Sequence, residues 1–180
     1  YFPSGTDIAI IKLSPDGDNV IATRYMGGTG NDGVMPQFIY IGGRRFFYPL
    51  TNNYGDQFRG DINTDDEGNI YVGSMSFSTN FPVKNAFQQN NNGSMNAVIF
   101  KLSPNLDNLI WSTYLGGSGY DACFGISKDS ANNLFVTGGA VSSDFPTSAD
   151  AINKSHSGYV DGFVSRLHKN GDSLIASTFL

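Results

Sequence analysis

Asn96-Ala-Val-Ile-Phe-Lys-Leu-Ser-Pro104 decides the fold. Residues 97, 98, 99, 100 and 102 are all apolar, so a strand here is oily on both sides instead of alternating with polar side chains. Both faces therefore need cover. The stretch returns as Asp7-Ile-Ala-Ile-Ile-Lys-Leu-Ser-Pro15 and, more loosely, as Asp161-Gly-Phe-Val-Ser-Arg-Leu167. A second apolar run follows each copy: Val20-Ile-Ala-Thr-Arg-Tyr-Met26, Leu109-Ile-Trp-Ser-Thr-Tyr-Leu115 and Leu174-Ile-Ala-Ser-Thr-Phe-Leu180. Two more elements also pair up, Ile62 to Val72 with Ile126 to Val136, each leading on to Asn80-Phe-Pro82 or Asp144-Phe-Pro146.

The runs are rich in Ile, Val, Phe, Tyr and Thr and are bounded by Gly, Pro, Asn and Asp, which is strand chemistry. No window holds a helical apolar spacing for three turns, and residues 83–89 have room for one helical turn at most. Each unit reads as four strands, at Ile62 or Ile126, at Ile70 or Leu134, then the Asn96 and Leu109 strands or their copies. Asp16-Gly17, Glu67-Gly68-Asn69 and Asn170-Gly171 supply the hairpin turns. Four-stranded antiparallel sheets repeated with both faces buried against their neighbours are the blades of a β-propeller, so the fold class is all-β. A two-sheet sandwich, which more often leaves one face of each sheet polar, is the structural alternative.

Asn96 to Asp161 spans 65 residues and Ile62 to Ile126 spans 64, whereas Tyr25 to Tyr114 spans 89, so about 25 extra residues lie between Tyr25 and Ile62. The organisation is then the C-terminal half of a blade over 1–32, an inserted loop over 33–59 and complete blades over 60–120 and 121–180. This makes about two and a half blades of a partial propeller, and closed propellers need roughly four to eight. The chain is expected to continue at both ends, with the remaining blades of the same chain closing its terminal faces.

Composition narrows the function. Sixteen acidic against 11 basic residues give a formal net charge of -5, and Arg44-Arg45 is the only adjacent basic pair, so nucleic acid is not an expected partner. No stretch approaches the roughly 18 apolar residues of a membrane-spanning helix. The lone Cys123 forbids a disulfide within the chain and reads as a small buried hydrophobe.

Two motifs echo calcium sites. Gly27-Gly-Thr-Gly-Asn-Asp32 and Gly116-Gly-Ser-Gly-Tyr-Asp121 fit a Gly-Gly-x-Gly-x-Asp core, but they lie 89 residues apart instead of nine. They read as turns between blades, with Gly supplying positive φ and the Asp capping backbone amides. Asn63-Thr-Asp65-Asp-Glu67-Gly68-Asn-Ile70 resembles the start of an EF-hand loop, yet Ser74 stands where the bidentate Glu belongs. It reads as a polar hairpin turn. No metal and no cofactor are assigned, and calcium is the one ion these motifs bring into question.

No catalytic residues are assigned either. His156 and His168 sit in or beside turns as solvated histidines, and neither pairs with Cys123 or with a Ser in a Gly-x-Ser-x-Gly frame. Asp56, Asp61, Asp121 and Asp144 are the carboxylates to watch for an acid/base pair on one face. Trp111 occupies the strand position of Ala22 and Ala176, so it reads as interblade filling instead of a sugar platform. Arg44, Arg45, Phe46, Phe47 and Tyr48, all in the non-repeating loop, form the candidate partner-binding patch, because Arg with aromatics is how recognition surfaces are usually built.

Trp111-Ser-Thr-Tyr-Leu-Gly-Gly-Ser-Gly-Tyr-Asp121, Val136-Thr-Gly-Gly139, Ser143-Asp-Phe-Pro-Thr147 and Asp161-Gly-Phe-Val-Ser-Arg-Leu167 resemble the repeat of the seven-bladed β-propeller (SBBP-type) family of large bacterial secreted and cell-surface proteins. The insert ending in Tyr54-Gly-Asp-Gln-Phe-Arg-Gly-Asp61 is similar to those in large exported proteins of gliding Bacteroidetes, which use type IX secretion. The resemblance implies an extracellular or outer-surface location and a non-catalytic scaffold or adhesion role. Surface proteins, secretion-system proteins or glycans are the implied partners. A polysaccharide-acting propeller enzyme and a calcium-dependent structural module are the alternatives.

Overall fold

A computed structural model describes residues 5–47, 50 and 58–180. The chain forms twelve strands among the described residues: β1 (Ile8–Leu13), β2 (Val20–Met26), β3 (Phe38–Ile41), β4 (Arg44–Phe47), β5 (Asp61–Thr64), β6 (Ile70–Ser76), β7 (Asn96–Leu102), β8 (Leu109–Leu115), β9 (Asp121–Lys128), β10 (Leu134–Ala140), β11 (Asp161–Leu167) and β12 (Leu174–Phe179). β5-β6-β7-β8 and β9-β10-β11-β12 are antiparallel four-stranded blades, and β1-β2 supplies the third and fourth strands of a preceding one. The strands of the repeated units lie where their apolar runs predict them, while β3 and β4 fall in the stretch expected to be a loop. Residues 83–89 take no helical turn. They run beside β8, with Lys84 and Ser112 exchanging backbone hydrogen bonds.

Neighbouring quartets stand side by side, and the interior one is covered on both faces. Val98, Phe100 and Leu102 of β7 face a cluster that holds Ile10 and Met26 from the β1-β2 pair. Ala97 and Ile99 face the other way, into a cluster with Cys123, Val136, Phe163 and Phe179 of the following blade. All seven residues of β6 are buried. The alternation that a half-solvated sheet would need is absent because both sides are apolar interface, and this removes the sandwich alternative.

The insert departs from its expected place and form. Asp32 bridges Ser76 as Asp121 pairs with Ala140, and Asp61 pairs with Gly73 as Gly125 pairs with Thr137. The extra residues thus interrupt the first strand of their blade, at the site where the next blade has only the bulge between Thr137 and Gly138. Within the insert lies a hairpin instead of a loop. β3 and β4 pair in register from Phe38↔Phe47 to Ile41↔Arg44, turned by Gly42 and Gly43, whose φ of 57° and 76° a two-residue hairpin turn requires. At the root of the insert Met35 packs with Met75, Met95 and Ala122 in a third buried cluster.

Candidate functional site

Four of the five patch residues fall on β4, while Tyr48 lies outside the described residues. Register places Phe47 opposite Phe38, with ring centroids 4.9 Å apart, and the Arg45 guanidinium stacks 4.1 Å over Phe38. A single cation-aromatic face results. Arg44 and Phe46 alternate to the opposite face. Phe46 is 46% and Phe47 56% exposed, so an arm of two short strands offers rings and guanidinium groups to solvent on both sides.

The two Gly-Gly-x-Gly-x-Asp turns are clasps between blades. Gly28 N–H donates to Asp32 Oδ2 at 2.8 Å, and Gly117 N–H to Asp121 Oδ2 at 2.8 Å. The same oxygens accept the hydroxyls of Ser78 and Ser142, from the loop after the second strand of the next blade. Thr29 N–H reaches Asn80 Oδ1 and Ser118 N–H reaches Asp144 Oδ1, both at 2.8 Å. The Asp residues therefore cap amides as their motif predicts. The glycines have a different reason from the expected one, since none of the motif's glycines takes a positive φ. They leave room. A Cβ on Gly117 would lie 2.3 Å from Asp144 Oδ1, and one on Gly28 would lie 2.4 Å from Asn80 Oδ1.

The EF-hand-like turn is also built around internal bonds. Asp65 accepts N–H bonds from Glu67 and Asn69, the Asn69 side chain and the Tyr71 hydroxyl, and its Oδ2 sits 3.0 Å from Lys101 Nζ. Burial opposes the charge, but the bonds from Asn69 and Lys101 prevail and hold the carboxyl well below the usual carboxylate range. Asp129 repeats the arrangement with Asn133 and Arg166, and the Asn133 side chain, followed by Arg166, lowers it to about 2.

The carboxylates to watch do not gather on one open face. Asp121 and Asp144 belong to a clasp, Asp61 accepts the backbone N–H of Ile126, and Asp56 lies outside the described residues. His156 is less solvated than expected, half-buried with its Nε2 3.2 Å from Ala140 O and its ring edge-on to Phe179. His168 pairs with Asp172 at the surface. Cys123 is fully buried, and burial pushes its thiol up to about 12. Trp111 fills the interblade space beneath Gly171, edge-on to Tyr71, with its indole N–H donating to Lys169 O at 2.9 Å.

A cleft of about 480 Å³ that the strand pattern did not announce opens between β1 and β5-β6. Asp7, Asp32, Arg59 and Asp61 lie on it, with Ile10 and Ile62 among its apolar walls. Its members sit far apart in sequence, and only the repeat offset links Asp7 to Asn96 and Asp32 to Asp121.

No curated protein matches the chain. A family model described as a beta-propeller repeat (SBBP) matches residues 110–146, from β8 through the second clasp and the β9-β10 hairpin to Asp144-Phe-Pro146, where the blade-to-blade connection described above is built.

Proposed function

We propose that this chain is a non-catalytic β-propeller scaffold segment of a large exported bacterial surface protein, and that the β3-β4 arm is its interaction element. The observation that carries the reading is the arm itself. It lies within the insert that the other copies of the repeat lack, and it spends two exposed phenylalanines and two arginines on solvent. Such side chains stack on sugar rings and pair with carboxylates, so glycans and the surfaces of other exported proteins are the partners it suits. Among the described residues Asp61, Asp121 and Asp144 are tied into backbone bonds between blades, an arrangement that suits a structural part. The motif resemblance supports the seven-bladed type and the outer-surface setting in gliding Bacteroidetes.

The test is binding of the labelled chain to immobilised neutral and uronate-containing bacterial polysaccharides and to outer-surface proteins. The variant Arg44→Ala/Arg45→Ala/Phe46→Ser/Phe47→Ser is expected to lose about tenfold or more in affinity while keeping its melting temperature, because the replaced groups are exposed. Equal binding by the variant sinks the reading. Release of new reducing ends from any of the polysaccharides replaces the scaffold by the enzyme alternative.

A further inference from the structure

The chain has acids to spare, 16 against 11 basic residues, and its cations are mostly spoken for. Lys101, Arg166 and His168 each pair with an aspartate, and Lys12 and Lys84 donate to backbone carbonyls. Among the described residues no carboxylate pairs with Arg44 or Arg45, and both are exposed on β4. The setting of Arg45 is ordered all the same. Its guanidinium lies 4.1 Å over the Phe38 ring, whose centroid is 4.9 Å from that of Phe47. Stacking of this kind covers one flat face of a guanidinium and leaves its in-plane N–H groups for an acceptor, as the fork that grips a carboxylate by two parallel bonds. Phe47, more than half exposed, follows Arg45 by two residues and so shares its face of the strand at a distance of about 7 Å. Arg44 and Phe46 repeat the pairing on the opposite face.

We infer that the ligand of the β3-β4 arm is an acidic polysaccharide: the Arg45 guanidinium grips the carboxylate of a uronate while the sugar ring that carries it stacks on Phe47, and Arg44 with Phe46 takes a second uronate on the other face. The inference rests on the reading of the arm as the interaction element and names what that element recognises. A uronate carries its charge on a carbon attached directly to the sugar ring, so the carboxylate and the apolar C–H face arrive together, as neighbours. That is the arrangement in which β4 presents a guanidinium and a ring. A neutral sugar would use the rings and leave both arginines idle, and the carboxylates of an acidic protein would use the arginines and leave the rings uncovered. The fork is also prepared in advance. Arg45 already rests on Phe38, so less side-chain freedom is lost when the carboxylate binds. A sugar ring laid on Phe47 excludes water from the same face, and a charged hydrogen bond strengthens as its surroundings become less polar.

The test is titration of the chain with polygalacturonate and with alginate, and with the same two polymers after their carboxyl groups have been reduced to alcohols, at one fixed ionic strength. At least one polyuronate is expected to bind about tenfold or more tightly than its reduced form. Arg45→Ala should remove most of that preference, and Arg45→Lys should restore little of it, because an ammonium keeps the charge but neither the fork nor the stack. Phe47→Ser should weaken binding of a polyuronate and of its reduced form alike, since both lose the ring. Equal affinity for each polymer and its reduced form overturns the uronate assignment while leaving the arm a glycan-binding element. No binding of either polyuronate also overturns it, as does poly-glutamate binding as tightly as the polyuronates, for the sugar ring then plays no part. If Arg44→Ala/Arg45→Ala/Phe46→Ser/Phe47→Ser binds every polymer as the unaltered chain does, the reading of the arm itself fails, which is a different outcome from the loss of the carboxylate preference alone.

Discussion

Asp65 and Lys101 show how a charge survives between blades. Their side chains are 1% and 13% exposed, on the face of β7 that the next blade covers. Removing Lys101 leaves the buried Asp65 with neutral donors but no counter-charge, so Lys101→Met is expected to cost about 3 kcal/mol in chemical denaturation. Asp65→Asn/Lys101→Met together should cost less, and a double variant worse than the single one would contradict the pairing. The depressed carboxyl also sets a direction with pH. Its contribution is present above the unfolded value near 4 and is lost as pH falls through the folded one, so acid unfolding of Asp65→Asn should be shallower than that of the wild type. Gly117 belongs to the same scale. With Asp144 Oδ1 2.3 Å from where a Cβ would stand, Gly117→Ala is expected to lower stability by about 1–3 kcal/mol, read from the melting temperature, because either the Asp144 cap or the turn must move.

At the scale of the element, register explains the one tryptophan. Trp111 pairs with Lys101 as Ala22 pairs with Lys12 and Ala176 with Arg166, so the three copies place a large or a small side chain at one position. Only between the two complete blades is that position enclosed, by Tyr71, Leu134 and Leu167. Trp111→Ala should open a cavity there and cost about 3–5 kcal/mol, measured by urea unfolding, whereas Ala176→Gly on the less covered β12 should cost far less. The strands, their order and their two-faced burial were legible because a strand with no polar face states its own surroundings. The hairpin in the insert was less so, although Gly42-Gly43 between apolar and aromatic runs is a hairpin signal. Extra residues in one copy of a repeat usually lie in surface loops, and that tendency competes with the turn signal. The clasp glycines were misread for a different reason: a Gly needed for close approach and a Gly needed for positive φ look the same in sequence, and only the position of Asp144 or Asn80 separates them.

For the whole molecule, stability is a sum of blades and of the interfaces between them, as in other repeat architectures. The β5-β8 blade is enclosed on two sides and has clasps at both ends. The β1-β2 pair has one covered side: Ile10 and Met26 are buried, but Ile11, Leu13, Ile21 and Tyr25 are each at least half exposed. The equivalents of Ile11, Leu13 and Tyr25 one blade on are Phe100, Leu102 and Tyr114, all fully buried. The β9-β12 blade lies between these extremes, with Phe163 and Leu167 buried and Phe135 and Ile175 partly exposed. Opening free energies should follow that order, because an amide exchanges through the least costly local opening that frees it, and opening β1-β2 breaks one interface where opening β6-β7 breaks two. Hydrogen exchange followed by mass spectrometry is expected to show protection falling from β6 and β7, through β10 and β11, to β1 and β2. Protection of β1 equal to that of β7 would mean that the interfaces do not add in this way, and that the exposed face of β1-β2 has found cover in solution.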